Sequence, residues 1–192
     1  MDDTHGFAAD VFHTVCARLA GQAADLAHLV ATDAPFDGWL EGEAYLACRS
    51  AGGRFGEVEF RPTYGSEGVT GADGRPSAAR GGLRVGGVGD PGHHLWLFAE
   101  FVVAPARNGR NEDWQARTEA AIARLLGLGW KRSAALLIVL AADSRDGEPA
   151  DVPSWGQPPL TDAVLIPLPG GGSVVVRAFD VKPDPADTLA GP

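Results

Sequence analysis

Lysine is nearly absent from this chain. Of its 16 basic residues only Lys131 and Lys182 are lysine, and the rest are arginine. A chemistry that needs an ammonium group beside the reacting atoms therefore has two candidates. Cysteine is equally scarce. Cys16 and Cys48 both sit in apolar helical patterns and form no CxxC pair, so they read as small buried hydrophobes rather than as a disulfide or metal ligands. That usage fits a reducing cytoplasm. No apolar run approaches the roughly 18 residues of a membrane span. The longest, Ala134 to Ala142, has the length of a buried strand. The opening Met1-Asp2-Asp3-Thr4-His5 has neither the basic nor the apolar region of a secretion signal, so a cytoplasmic location is expected. Nucleophile motifs of the GxSxG type are missing as well. Gly81 to Gly87 is glycine-rich but lacks the lysine and the strand-to-helix setting of a phosphate loop, and reads as a flexible strand edge. The adjacent His93 and His94 would point to opposite faces of a strand, and no zinc spacing exists.

What is present is enough for a packed core. The 192 residues are 45% hydrophobic, and the expectation is one α/β domain over 1–182 followed by a frayed tail at 183–192. Net charge is −9, distributed as −6 over residues 1–50, +2 over 51–133 and −5 over 134–192. Such a field repels nucleic acid. The arginines of the middle segment, Arg61, Arg75, Arg80, Arg84, Arg107 and Arg110, could form a local basic patch for nucleic acid, which the net charge disfavours, and read first as a solvated face.

Periodicity predicts the elements. Phe7, Val11, Val15, Leu19, Ala23, Leu26 and Val30 recur at helical steps, with Thr4 as N-cap and Gly21 as a weak point. A second helix over 38–49 is capped by Asp37, and its Glu41 and Glu43 project to different sides. Val58 and Phe60 alternate with charged residues in a half-buried strand that Pro62 ends or places at an edge. A glycine-rich connection over 65–82 leads to a short strand suggested by Leu83, Val85 and Val88. His94 to Val103 is apolar on both faces and predicts a central strand, in which Glu100 is the least expected residue. A helix from an Asn111 cap to Leu126 buries Trp114, Thr118, Ile122 and Leu125 and stops at Gly127 and Gly129. A buried strand follows at 134–142, which makes a parallel crossover unit. Residues 143–160 read as a polar surface loop. Residues 163–168 and 173–181 read as a hairpin around Pro169-Gly170-Gly171-Gly172.

The middle of this order carries a resemblance. A helix bearing Glu41 or Glu43 precedes a strand hairpin, Asp90-Pro91 in a turn, a buried strand with Phe98-Ala99-Glu100-Phe101-Val102, a helix and another strand. Residues 37–142 thus resemble the restriction-endonuclease-like superfamily, whose PD…(D/E)xK motif lies on neighbouring strands. The resemblance implies a three-layer α/β fold, a central mixed sheet flanked by helices. It also implies that Asp90 and Glu100 hold Mg²⁺ with Glu41 or Glu43 in support, hard oxygen ligands being what that ion requires. Two departures set this chain apart. Val102 stands where the family has its lysine, and the acid follows glycine in Gly89-Asp90. Arg84 is a poor substitute for an ammonium point charge. A competing DxK triplet, Asp180-Val181-Lys182, has Asp162 upstream with seventeen residues between the two acids, but no crossover helix follows it.

Three functional readings follow. The first is a non-catalytic, nuclease-like domain that serves as an accessory or protein-interaction module, with a protein partner or self-association. The second is a Mg²⁺-dependent nuclease using Asp90 and Glu100. The third is a small-ligand binder using the Trp96, Phe98 and Glu100 face. The bland reading of Glu100 is a buried carboxylate paired with Arg61 or Arg84 on an adjoining strand.

Overall fold

Two segments are apolar on both faces, and both lie at the centre of a six-stranded sheet. They are β3 (Trp96–Ala104) and β4 (Ser133–Ala142), which run parallel from Trp96↔Ser133 to Ala104↔Ala141. The computed structural model describes residues 3–32, 36–67, 69–70, 74–88, 95–104, 113–128, 133–142 and 154–182. The remaining strands are β1 (Phe55–Phe60), β2 (Leu83–Gly87), β5 (Val164–Pro167) and β6 (Ser173–Asp180), and the sheet order is β1-β2-β3-β4-β6-β5. Every pairing except β3–β4 is antiparallel, so the sheet is mixed, and it is curled. The parallel pair is joined through the helix α4 (Trp114–Leu126), as the crossover pattern predicts.

Both faces of the sheet are covered, which explains the unbroken apolar runs. Leu97, Ala99, Phe101 and Val103 of β3 join Leu136, Ile138 and Leu140 of β4 in one core, with α1 (Asp3–Gly21), α2 (Ala23–Thr32) and α3 (Asp37–Arg49) supplying the facing side chains. Phe98 and Val102 join Leu137 and Val139 on the other side, under Ala121, Ile122 and Leu125 of α4. Leu136, Leu137, Ile138 and Leu140 are fully buried. Each such side chain contributes about 1.5–3 kcal/mol relative to exposure, which makes β4 the strongest apolar anchor of the fold.

The long first helix predicted over 4–30 is two helices, broken at Gln22. Its apolar stripe is nonetheless the buried one, with Val11, Val15, Leu19 and Leu26 inaccessible. Thr4 lies inside α1 and not at its cap. Asp37 is the first residue of α3, where Phe36 is the N-cap, and its carboxylate is used elsewhere, as described below. The N-cap of α4 is Asp113, and the Asn111 expected there lies outside the described residues. The connection over 65–82 contains a 3-10 turn (Tyr64–Glu67) and bridges between Thr63 and Arg80 and between Thr70 and Pro76. The β5–β6 hairpin is present as predicted. Its turn holds Gly170, Gly171 and Gly172 at φ of 89°, 102° and 81°, a region that glycine enters without steric penalty.

The glycine-rich segment at 81–87 differs most from its sequence reading. β2 is an internal strand between β1 and β3, not a flexible edge. Its glycines are seats for rings. A Cβ on Gly82 would lie 2.7 Å from Phe101 Cδ2, and one on Gly86 would lie 3.0 Å from Trp96 Cζ3. Among the described residues no helix is long and apolar enough to cross a membrane.

Candidate functional site: a ladder of paired charges beside the central strand

β2 covers only part of its neighbour. Their pairing runs from Gly86↔Trp96 to Leu83↔Ala99, and beyond Ala99 this edge of β3 continues to Ala104. A backbone edge exposed in that way needs other partners. Side chains from the helices on both faces supply them. Asp37 of α3 accepts the Val103 N–H at 2.9 Å and the Arg117 Nη1 at 2.6 Å, while Arg117 Nη2 donates to the Val103 carbonyl at 3.2 Å. The carboxylate expected to cap α3 thus closes a sheet edge instead.

Glu100 lies three residues back along the same strand and is 4% exposed. Arg124 of α4 grips it with two parallel bonds, Nε to Oε1 at 2.9 Å and Nη2 to Oε2 at 3.0 Å. The Tyr64 hydroxyl donates to the same Oε1 at 2.5 Å. Bidentate guanidinium–carboxylate pairing is the strongest geometry available to such a pair. Burial, together with the negative charge of Glu100, pushes the Tyr64 phenol well above its ordinary value. The hydrogen bonds to Glu100 raise Arg124 despite its partial burial. Room for Tyr64 comes from Gly81, where a Cβ would stand 2.7 Å from the hydroxyl oxygen.

The spacing explains why one helix serves both positions. Arg117 and Arg124 are seven residues apart, about two turns or roughly 10 Å of rise. Val103 and Glu100 are three strand residues apart, again about 10 Å. Helix and strand run in opposite directions, so the two arginines fall on the two strand positions in reverse order.

The third pair is Glu41 of α3 with Arg61, Oε2 to Nε at 2.7 Å. Arg61 has a φ of 52°, which for a residue other than glycine costs about 1–3 kcal/mol. Burial raises the Glu41 carboxyl above its ordinary value, Arg61 opposes that, and the charges of Glu100 and Asp37 add to the rise. Glu43 points away and pairs with Arg18 of α1 at 2.6 Å, so the two glutamates do project to different sides.

The partner expected for Glu100, Arg61 or Arg84, is therefore Arg124. Arg61 is held by Glu41, and Arg84 lies 2.9 Å from Glu59 with its guanidinium 4.5 Å above the Trp96 ring. Asp90, His93 and His94 lie outside the described residues. Of the competing triplet, Asp180 and Lys182 pair with each other at 2.7 Å, at and just after the end of β6, with β4 between them and the strand that carries Glu100. The Phe98 and Glu100 portion of the suggested ligand face is filled, since Phe98 is 2% exposed and packs 6.3 Å from the Tyr64 ring.

Magnesium requires carboxylate oxygens with free lone pairs directed at one point. Both oxygens of Glu100 accept charged donors, and Glu41 accepts Arg61, so these residues as arranged do not fit the ion. Among the described residues no group of three or more His, Cys, Asp or Glu side chains could hold a metal. The sequence reading missed Arg124, Tyr64 and Asp37. The signal for Arg124 was its seven-residue spacing from Arg117 beside the buried stripe of the crossover helix. No protein-family model, no curated protein and no solved structure matches this chain.

Proposed function

We propose that this chain is a non-catalytic domain of restriction-endonuclease-like architecture whose role is to bind protein. The observation that carries the reading is the saturation of Glu100. The carboxylate standing where a nuclease of that kind has a metal ligand accepts three hydrogen bonds, two of them from a guanidinium. Freeing it for a metal means breaking a buried ion pair, which costs about 3–5 kcal/mol before any ion is bound. Kinship in architecture draws on the element order α3-β1-β2-β3-α4-β4, with helices on both faces of a mixed sheet. The acidic net charge of −9 favours a protein partner over nucleic acid.

The surface that suits this role lies where α3 meets the sheet-edge strand β1. Phe60 is 42% exposed, the half-buried Tyr45 ring lies 5.7 Å from the Phe60 ring, and the Arg61 guanidinium stands 5.3 Å over Phe60. Exposed aromatic and arginine side chains together are the composition of interface hot spots. A second copy of the chain is the first partner to test. Light scattering across a concentration series is expected to show association that Phe60→Asp reduces at least about tenfold. In parallel, incubation with plasmid or single-stranded DNA and Mg²⁺ or Mn²⁺ is expected to leave both intact. Cleavage that disappears in a folded Glu100→Gln variant overturns the reading. So does a protein that stays monomeric and retains no partner through Phe60.

A further inference from the structure

One row of α3 side chains meets the edges of the sheet. Asp37, Glu41 and Tyr45 stand four residues apart and so share a face of the helix. Asp37 closes the edge of β3, Glu41 bonds Arg61, and the Tyr45 ring meets Phe60 at the end of β1. Strand alternation alone would send the Arg61 side chain to the face opposite Phe60. Its φ of 52° breaks that alternation, and the guanidinium folds back over the Phe60 ring. The Arg61 N–H donates to the Gly82 carbonyl at 3.0 Å, which anchors the main chain in this position. A strained residue of this kind persists only where its surroundings over-determine it. Glu41 is the side-chain part of that restraint.

The pair is built differently from the other two in the ladder. Glu100 is bonded twice by Arg124, and Asp37 by Arg117 and the Val103 N–H. Arg61 gives Glu41 a single bond, and its side chain is 48% exposed where that of Glu41 is 14%. Among the described residues, the charges that face Glu41 are Arg61 after β1, Asp37 on its own helix and Glu100 on β3, the two acids each paired with an arginine of α4. The cations of the other packed elements are engaged elsewhere. Arg18 of α1 pairs with Glu43, and Arg84 of β2 pairs with Glu59 on the opposite face of the sheet. Burial and the two acids favour a proton on Glu41, and Arg61 opposes it.

We propose that Glu41 is a proton-sensitive latch on the contact surface around Phe60, holding Arg61 on the ring and balancing its charge when ionised, and weakening the attachment of a second copy when protonated. The latch presupposes that a second copy docks at this surface, as proposed for it. A two-fold contact brings the same patch of both copies together. Each ionised Glu41 leaves its patch with a neutral pair beside the exposed ring. Protonation of both leaves two uncompensated guanidiniums in one interface, and like charges brought together there are costly. The charge-assisted bond is lost at the same step, so Arg61 is also held less firmly over Phe60. Glutamine at position 41 reproduces the protonated state at every pH.

Two measurements on the full chain separate the latch from the docking it acts on. Sedimentation velocity across a concentration series gives the dimer Kd from neutral pH down to the ordinary carboxyl value of 4.5. The wild type is expected to bind at least about tenfold more weakly at the acid end. Glu41→Gln is expected to bind weakly throughout, with a flat profile. The side-chain Nε–H resonance of Arg61 in ¹⁵N-labelled protein, recorded at a concentration where the chain is monomeric, is expected to shift with a one-proton titration that Glu41→Gln lacks. A wild type that stays monomeric at neutral pH overturns the docking surface, and the latch with it, whatever Arg61 does. Association that is equally tight at both ends of the range, or that weakens equally in Glu41→Gln, overturns the latch and leaves the docking surface standing. An Arg61 resonance indifferent to pH does the same.

Discussion

Replacing Glu100 by alanine separates a structural carboxylate from a catalytic one. In the folded protein this residue accepts two bonds from Arg124 and one from Tyr64, with its side chain 5% exposed. Truncation leaves the Arg124 guanidinium without its partner and the Tyr64 hydroxyl, on a residue 1% exposed, without an acceptor. Breaking a buried ion pair costs about 3–5 kcal/mol. Arg124 is one-third exposed and regains part of its hydration, which favours the lower end. The orphaned hydroxyl adds about 1 kcal/mol or more. A loss of roughly 4 kcal/mol is a large share of the ~5–15 kcal/mol that stabilises a typical domain. For a chain of this size it corresponds to a fall in Tm of about 8–16 °C. Thermal unfolding followed by circular dichroism measures it directly. The apolar double replacement Glu100→Leu/Arg124→Leu is expected to recover most of the loss, because both buried charges then leave together. A carboxylate held ready for a metal behaves in the opposite sense, since its removal in the absence of metal relieves unfavourable burial. A Glu100→Ala protein whose Tm equals or exceeds that of the wild type refutes the clamp.

Three further expectations follow from the same geometry. Gly81→Ala places a Cβ 2.7 Å from the Tyr64 hydroxyl and is expected to destabilise by about 1–3 kcal/mol. Because it acts by displacing that hydroxyl, its effect in urea unfolding should overlap with that of Tyr64→Phe, and full additivity of the two counts against the idea. The raised Glu41 carboxyl means that the folded state keeps this proton to higher pH than the unfolded chain, whose value is near the ordinary 4.5. The Glu41 contribution is thus fully present below that value and is lost as pH rises through the folded one. The Tm of the wild type relative to Glu41→Gln should accordingly fall as pH rises above the ordinary carboxyl value, and a rise contradicts the assignment. Burial pushes the Cys16 and Cys48 thiols up to about 12, so neither should react with a thiol reagent at about pH 8 until the chain is unfolded. Stoichiometric labelling of the native protein would show that these helices open.

The elements themselves were legible because each is governed by a local rule. The two-sided apolar runs at 94–103 and 134–142 require cover on both faces wherever they are placed, and β3 and β4 occupy the centre of the sheet. The glycines at 170–172 permit a turn that few other residues allow, and the hairpin is there. The odd glutamate in a buried strand stood out for the same reason, and in the structure Glu100 is buried and bonded by Tyr64 and Arg124.

Its partners were not legible, because they depend on where helices come to rest. A carboxylate in a strand sees whichever cation the covering helix brings over it, and Arg124, twenty-four residues later, arrives only through the docking of α4. Asp37 carried a strong local signal as a helix cap. The tertiary arrangement gave it a better use, because an uncovered N–H at the edge of β3 is more costly than an uncapped helix end that water can reach. The glycines of the 81–87 segment read as slack for a similar reason, since the rings that Gly81, Gly82 and Gly86 seat come from Tyr64, Phe101 and Trp96, elsewhere in the chain. Periodicity and turn chemistry thus determined which segments became strands and helices. Which charges met across them was decided by the packing of one layer on another, through distances that sequence separation does not encode.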